Sequence, residues 1–215
     1  TPIQTMGDVT AFRVQITAAD IAAGTNSHRF YVTAGTNYSI YWGDRSVTGP
    51  LSGFQRPSHT YSAAGTYLVQ VKGNHTRFTH IDDSVAAGHV TDVIKLYSGL
   101  TSLRQTFYSC GNPAFRLLPS AKIGPLVTDA GYFIFFCQNS SNILYPGFRF
   151  PVNVVNLQYA LASNVKMVFT VTPDLFPDWP DGTAIDVSGV CLNDYLITGS
   201  APASKLWGRS GITWT

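Results

Sequence analysis

The stretch VTDAGYFIFFCQN, residues 127–139, places one thiol, Cys137, behind three phenylalanines and two residues ahead of Asn139. A thiol so placed is a nucleophile, a metal ligand, half of a disulfide, or packing. Three other stretches settle the choice: LTSLRQTFYSCGN (100–112), VNVVNLQYALASN (152–164) and DGTAIDVSGVCLN (181–193). Aligned on Cys110, Cys137, Ala162 and Cys191, they are separated by 27, 25 and 29 residues. Two residues later stand Asn112, Asn139, Asn164 and Asn193; further on come Pro119, Pro146, Pro173 and Pro202. Leu103, Ala130, Val155 and Ala184 stand seven residues before the aligned position. A period of this length marks units that stack, each burying its inward side chains on the next. Cysteine serves there as a small hydrophobe, and Ala162 takes the same place in the third unit. The expectation is three buried, unreactive thiols, with each asparagine bonding the bend between rungs.

Composition supports a β-rich, turn-rich chain. Of 215 residues, 45% are hydrophobic and only 12% charged; there are 19 glycines and 12 prolines. All 12 acidic residues are aspartate, which favours turns and caps over helix surfaces. The formal charge of +2 is too weak a bias to propose nucleic acid or an anionic membrane as partner. No apolar run reaches the roughly 18 residues of a membrane span, and no basic segment followed by an apolar one reads as a signal peptide. Three cysteines cannot all pair.

Between residues 10 and 73 the texture changes to alternation. AFRVQIT, HRFYVTA, YSIYW and GTYLVQVKG are period-two runs separated by Gly, Asn and Pro, which predicts half-buried strands of a sandwich. The segment 74–90, NHTRFTHIDDSVAAGHV, joins the two textures and is expected to be the entry rung that caps the stack. Residues 1–9 read as an arm or linker, and the change of period places a domain boundary between Gly73 and Val90.

Two resemblances follow from these motifs. YWGDRSVTG with PSHTYSAAGTYLVQV resembles the PKD-type immunoglobulin-like domain, whose WGDG turn precedes an HTYxxxGTYxVxV hairpin. The hairpin matches at His59, Thr60, Tyr61, Gly65, Thr66, Tyr67, Val69 and Val71, whereas Arg45 stands where the pattern has glycine. VTDAGYFIFFCQN with the later LYP, and LRQTFYSCGN with LLP, resemble the BspA-like leucine-rich-repeat family, and APASKLW (201–207) is similar to its closing segment. The third and fourth units depart from it at Ala162 and Ser188. The resemblances imply a mainly β chain: arm or linker 1–9, PKD/Ig-like β-sandwich 10–75, and a short leucine-rich-repeat-type solenoid 76–215 with entry and exit caps. This pairing fits bacterial surface proteins and phage structural proteins.

Motifs for chemistry are sparse. His75, His80, Asp82, Asp83 and His89 collect metal-binding side chains in the junction, but their spacing matches no tight zinc pattern. No G-x-S-x-G elbow, H-E-x-x-H helix or phosphate loop occurs. Asp178 and Asp181 flank Trp179 in a proline-rich turn, and aromatic rings line sugar sites. Phe148, Arg149, Phe150 and Trp179 are not required by the repeat pattern and belong to types enriched at binding hot spots. The expected function is therefore a non-enzymatic binding module without cofactor or metal, outside the cell on a bacterial surface or virion. Its expected partner is a cell-surface protein or glycan, met by Phe148, Arg149, Phe150 and Trp179. The alternative is a purely structural virion component, a capsid decoration or tail protein, whose partners are other particle proteins.

Overall fold

The computed structural model describes residues 8–80, 84–140, 143–164, 169–170, 175–179, 183–190, 197–198 and 212–213. The fold is mainly β. Its elements are β1 (Val9–Ile16), α1 (Ala18–Ala23), β2 (Ser27–Arg29), β3 (Tyr31–Tyr41), β4 (Val47–Gln55), β5 (Ser58–Thr60), β6 (Gly65–Asn74), β7 (Arg77–Thr79), α2 (Ser84–Gly88) and β8 (Val90–Lys95). Two-residue strands follow: β9 (Phe107–Tyr108), β10 (Arg116–Leu117), β11 (Ile134–Phe135), β12 (Phe169–Thr170), β13 (Ile185–Asp186), β14 (Ile197–Thr198) and β15 (Ile212–Thr213). The larger sheet runs β10-β8-β1-β6-β3-β4, with β7 added beside β3. The alternating runs form its centre: β1 and β6 pair antiparallel from Val9↔Lys72 to Ile16↔Gly65. Phe12, Val14, Val69, Val71 and Ile40 face inward. The short helix α1 went unforeseen, although Thr17 and Asp20 form a capping box and Gly24 closes the helix at φ +69°.

The corner between β3 and β5 explains the WGD and HTY motifs. His59 Nε2 lies 2.6 Å from an Asp44 carboxylate oxygen, and its ring stacks on Trp42 at 5.2 Å. The Tyr61 hydroxyl donates to the Trp42 carbonyl at 3.0 Å, so turn and hairpin are clasped together. Burial would raise the Asp44 carboxyl, but hydrogen bonds from Ser46 and His59 outweigh it and bring it to about 2. Arg45 adopts φ +79°, the left-handed conformation for which glycine is the unstrained residue.

Beyond β8 the chain makes successive turns that stack in parallel. Isolated bridges link Ser102 to Asp129, Asp129 to Asn156, and Asn156 to Asp186. Between them the amides of Leu103, Gln105, Phe107 and Ser109 donate to the carbonyls of Asp129, Gly131, Phe133 and Phe135. Those of Ala130, Tyr132, Ile134 and Phe136 donate in turn to Asn156, Gln158, Ala160 and Ala162. Each bridging side chain also accepts from the amide two residues on: Ser102 from Arg104, Asp129 from Gly131, Asn156 from Gln158, Asp186 from Ser188. One column of the core is Leu103, Ala130, Leu157 and Val187, all buried.

This register corrects the alignment of the third unit. Asn156 lies 27 residues after Asp129, so the place of Cys110 and Cys137 passes to Asn164 rather than Ala162. Asn164 is fully buried; its Oδ1 accepts from the Cys137 amide at 2.8 Å and its Nδ2 donates to the Ile134 carbonyl at 2.9 Å. Cys110 and Cys137 are buried free thiols, and burial pushes Cys110 well above the ordinary thiol range. Asn112 and Asn139 bond the bends, donating to the carbonyls of Gly88 and Gly111. Cys191, Asn193 and the segment 201–207 lie outside the described residues.

The expected division at residue 75 coincides with no break in pairing or core. β7 and β8, which follow it, join the sheet beside β3 and β1, and β10 extends it in parallel from β8. Residues 74–80 also form the first rung of the stack: Thr101 and Ser102 donate to the Thr76 carbonyl, and His80 to Thr106. Aromatic rings run through the junction, from Phe12 to Phe78, Phe107 and Phe133 at centroid distances of 6.0, 5.6 and 5.7 Å. One hydrophobic cluster extends from Phe12 to Val187.

Candidate functional site

Of the four residues expected to meet a partner, three point into the core and one points out. Tyr145-Pro146-Gly147-Phe148 forms a tight turn, with the Phe148 amide donating to Tyr145 at 3.0 Å and Gly147 at φ +80°. The next residues alternate, so Phe148 and Phe150 point into the core and Arg149 points out. Phe148, Phe150 and Trp179 are each only 1% exposed, and the Trp179 indole donates to the Val154 carbonyl at 2.9 Å. These three rings are packing, which corrects the expectation that a partner meets them. Arg149 alone is exposed, on the wall between two adjoining concavities. Asp178 is exposed and lines the second of these; Asp181 lies outside the described residues.

The junction histidines are occupied within the fold. The His75 Nδ1 donates to the Gly73 carbonyl at 2.9 Å, its Nε2 lies 2.8 Å from the Thr10 hydroxyl, and burial lowers it below the ordinary imidazole value. His80 donates to the Thr106 carbonyl at 3.0 Å and approaches His28 at 3.4 Å. Burial, with the neighbouring His80 and His89, lowers His28 well below the ordinary imidazole value. Asp82 and Asp83 are not among the described residues, and among those that are, no group of three His, Cys or Asp side chains is arranged to hold a metal ion.

One constellation looks catalytic on paper. Asp44, His59 and Ser46 converge, but Asp44 and Ser46 both meet the same imidazole nitrogen, Nε2, at 2.6 and 3.3 Å. A relay needs the carboxylate and the hydroxyl on opposite nitrogens. The three residues clasp a turn and do not activate a nucleophile.

The surface with the most unusual chemistry lies on the ladder side of the stack. Tyr132 stacks on Tyr159 at 5.2 Å, and Tyr108 on Phe135 at 5.2 Å. Phe135 joins the two columns edge-on to Tyr132, and Phe136 packs beside it while remaining 45% exposed. The Arg104 guanidinium lies over the Tyr132 ring at 5.3 Å, and Arg77 reaches the Arg104 carbonyl and the Gln105 side chain. Tyr132, Phe136 and Tyr159 hold these positions with φ of +55°, +64° and +53°. Bulky side chains in that region cost about 1–2 kcal/mol each. Equivalent positions in other units carry Gln105, Ser109, Ser163 and Gly189, so the aromatic residues are not demanded by the turn itself.

No protein-family model, curated protein sequence or solved structure matches this chain. The aromatic face was missed in the sequence because FIFF reads as core. Its signal was the doubling of apolar residues at Phe135 and Phe136, which a single inward column does not need.

Proposed function

We propose that this chain is a non-enzymatic binding module displayed on a bacterial surface or phage particle. In this reading a PKD-type immunoglobulin-like sandwich leads into a leucine-rich-repeat-type solenoid, and the ladder face recognises a cell-surface protein or glycan. The observation that carries the reading is the set of aromatic side chains held in left-handed backbone on a solvent-facing surface, at Tyr132, Phe136 and Tyr159. Strain retained where a smaller residue would relieve it points to use of the side chain. Tyrosine and arginine on a rigid support are the residue types that dominate recognition surfaces. The parallel stacking of successive units supports the solenoid, and the Trp42, Asp44, His59 and Tyr61 clasp supports the PKD-like half.

The test is retention of the purified chain on a panel of bacterial cells and immobilised glycans. It is compared with a triple variant, Tyr132→Asn, Phe136→Asn and Tyr159→Asn. Asparagine tolerates the left-handed conformation, so rings are removed and the backbone is kept. The wild type is expected to bind and the variant to lose binding while it still unfolds as a cooperative, folded chain. Assembly of the wild type into ordered oligomers, without retention on cells, would replace this reading with the structural one.

A further inference from the structure

A second site lies away from the ladder face. The units repeat a tight turn on their other arc: the Ala121 amide donates to Leu118 at 2.8 Å, and 27 residues on the Phe148 amide donates to Tyr145 at 3.0 Å. Ala121 and Phe148 both point into the core. The residues that follow them, Lys122 and Arg149, hold the same position in successive turns of the stack and are both exposed. They line one concavity of about 450 Å³ together with Ile123, Tyr145, Phe150 and Pro151. Among the described residues no carboxylate lines it; Asp178 lines the adjoining concavity on the other side of Arg149. Like charges at matching positions of adjacent turns repel, as they do across adjacent strands. Two cations beside Tyr145, over an apolar floor of Ile123 and Pro151, match one kind of ligand. It has an acidic group on a compact ring, with further hydroxyls. The volume falls in the range of small-molecule sites.

We propose that this concavity binds an acidic saccharide. Lys122 and Arg149 take the carboxylate or sulfate, and the ring lies against Ile123 and Pro151. Guanidinium suits such a group because it donates two parallel hydrogen bonds to one oxyanion. The proposal does not depend on the ladder face and stands or falls separately from it.

Isothermal titration calorimetry of the full chain decides it, with four probes: trigalacturonate for carboxylate, a heparin-derived tetrasaccharide for sulfate, inorganic phosphate, and neutral maltotriose. One of the two acidic oligosaccharides is expected to bind, with phosphate and maltotriose at least about tenfold weaker. Arg149→Gln and Lys122→Gln should each weaken that binding about tenfold, as for a lost charge-assisted hydrogen bond. Arg149→Lys should recover part of the loss, and Phe54→Asn, exposed on β4 and outside both faces, should change nothing. Both exposed variants should melt with the wild type, so a loss of binding is not a loss of fold. Absence of binding by both acidic oligosaccharides overturns the proposal. So does equal binding of maltotriose or phosphate, or unchanged affinity in both glutamine variants.

Discussion

Replacing Asn164 by alanine should unfold this protein far more readily than replacing Asn139, although the two asparagines look equivalent in the sequence. Asn164 has no exposed surface. Its side chain accepts from the Cys137 amide at 2.8 Å and donates to the Ile134 carbonyl at 2.9 Å, with a further bond to the Leu161 carbonyl. Truncation strands a buried amide and a buried carbonyl, each costing about 1–3 kcal/mol, so a loss of about 3–4 kcal/mol is expected. Asn139 is exposed and donates one bond, to the Gly111 carbonyl at 2.8 Å. Water replaces that partner, and the loss should be about 1 kcal/mol or less. The assay is urea denaturation followed by far-ultraviolet circular dichroism, comparing midpoints at equal slopes. For a chain of this size the difference between the variants corresponds to about 5–10 °C in melting temperature. Equal losses would refute the register that puts Asn164, rather than Ala162, in line with Cys110 and Cys137.

Three further outcomes are expected. Stability should be flat above about pH 6.5 and fall as pH drops below it. Burial depresses His28 and His75 in the folded state, so the unfolded chain takes up protons that the fold excludes. Each histidine kept neutral contributes a slope of about 1.4 kcal/mol per pH unit in that window. Urea midpoints that do not move between pH 7 and pH 5 would contradict this. Arg45→Gly should stabilise the chain by about 1 kcal/mol, since it removes a side chain from φ +79°; a lower melting temperature would show that the arginine makes a compensating contact. Cys110 and Cys137 should resist a thiol reagent in the native protein and react fully in urea, read site by site by mass spectrometry; rapid native labelling of either contradicts its burial.

Much of the fold was legible because two periods dominate the chain. Alternation in 11–17 and 65–73 placed β1 and β6 close to their observed bounds, and the recurrence of about 27 residues announced units that stack. The third unit was misread because Leu161-Ala162-Ser163-Asn164 imitates the small-residue-x-Asn pattern, while a buried asparagine satisfied by backbone leaves no apolar signature. The sheet's continuation into the stack was not legible, since β8 pairs with β1 some 80 residues earlier. The β4 edge, VTGPLSGFQ, lacks alternation and holds glycine at φ +129° and +74°. Of the candidate site residues, Phe148, Phe150 and Trp179 are buried. Arg149 does face solvent, but Phe148 and Phe150 alternate inward beside it. Tyr132, Phe136 and Tyr159 were hidden because side-chain preference gives no warning of left-handed backbone at aromatic residues.

Hydroxyl-radical footprinting, free and in the presence of the cells or glycan that retain the chain, tests the proposed recognition face most directly. Tyr132, Phe136 and Tyr159 should lose reactivity on binding, while Phe54, 62% exposed on β4 at the far edge of the sheet, keeps its own and serves as internal reference. Protection of Phe54 with the three ladder residues unchanged would move recognition to the sheet edge and contradict the account.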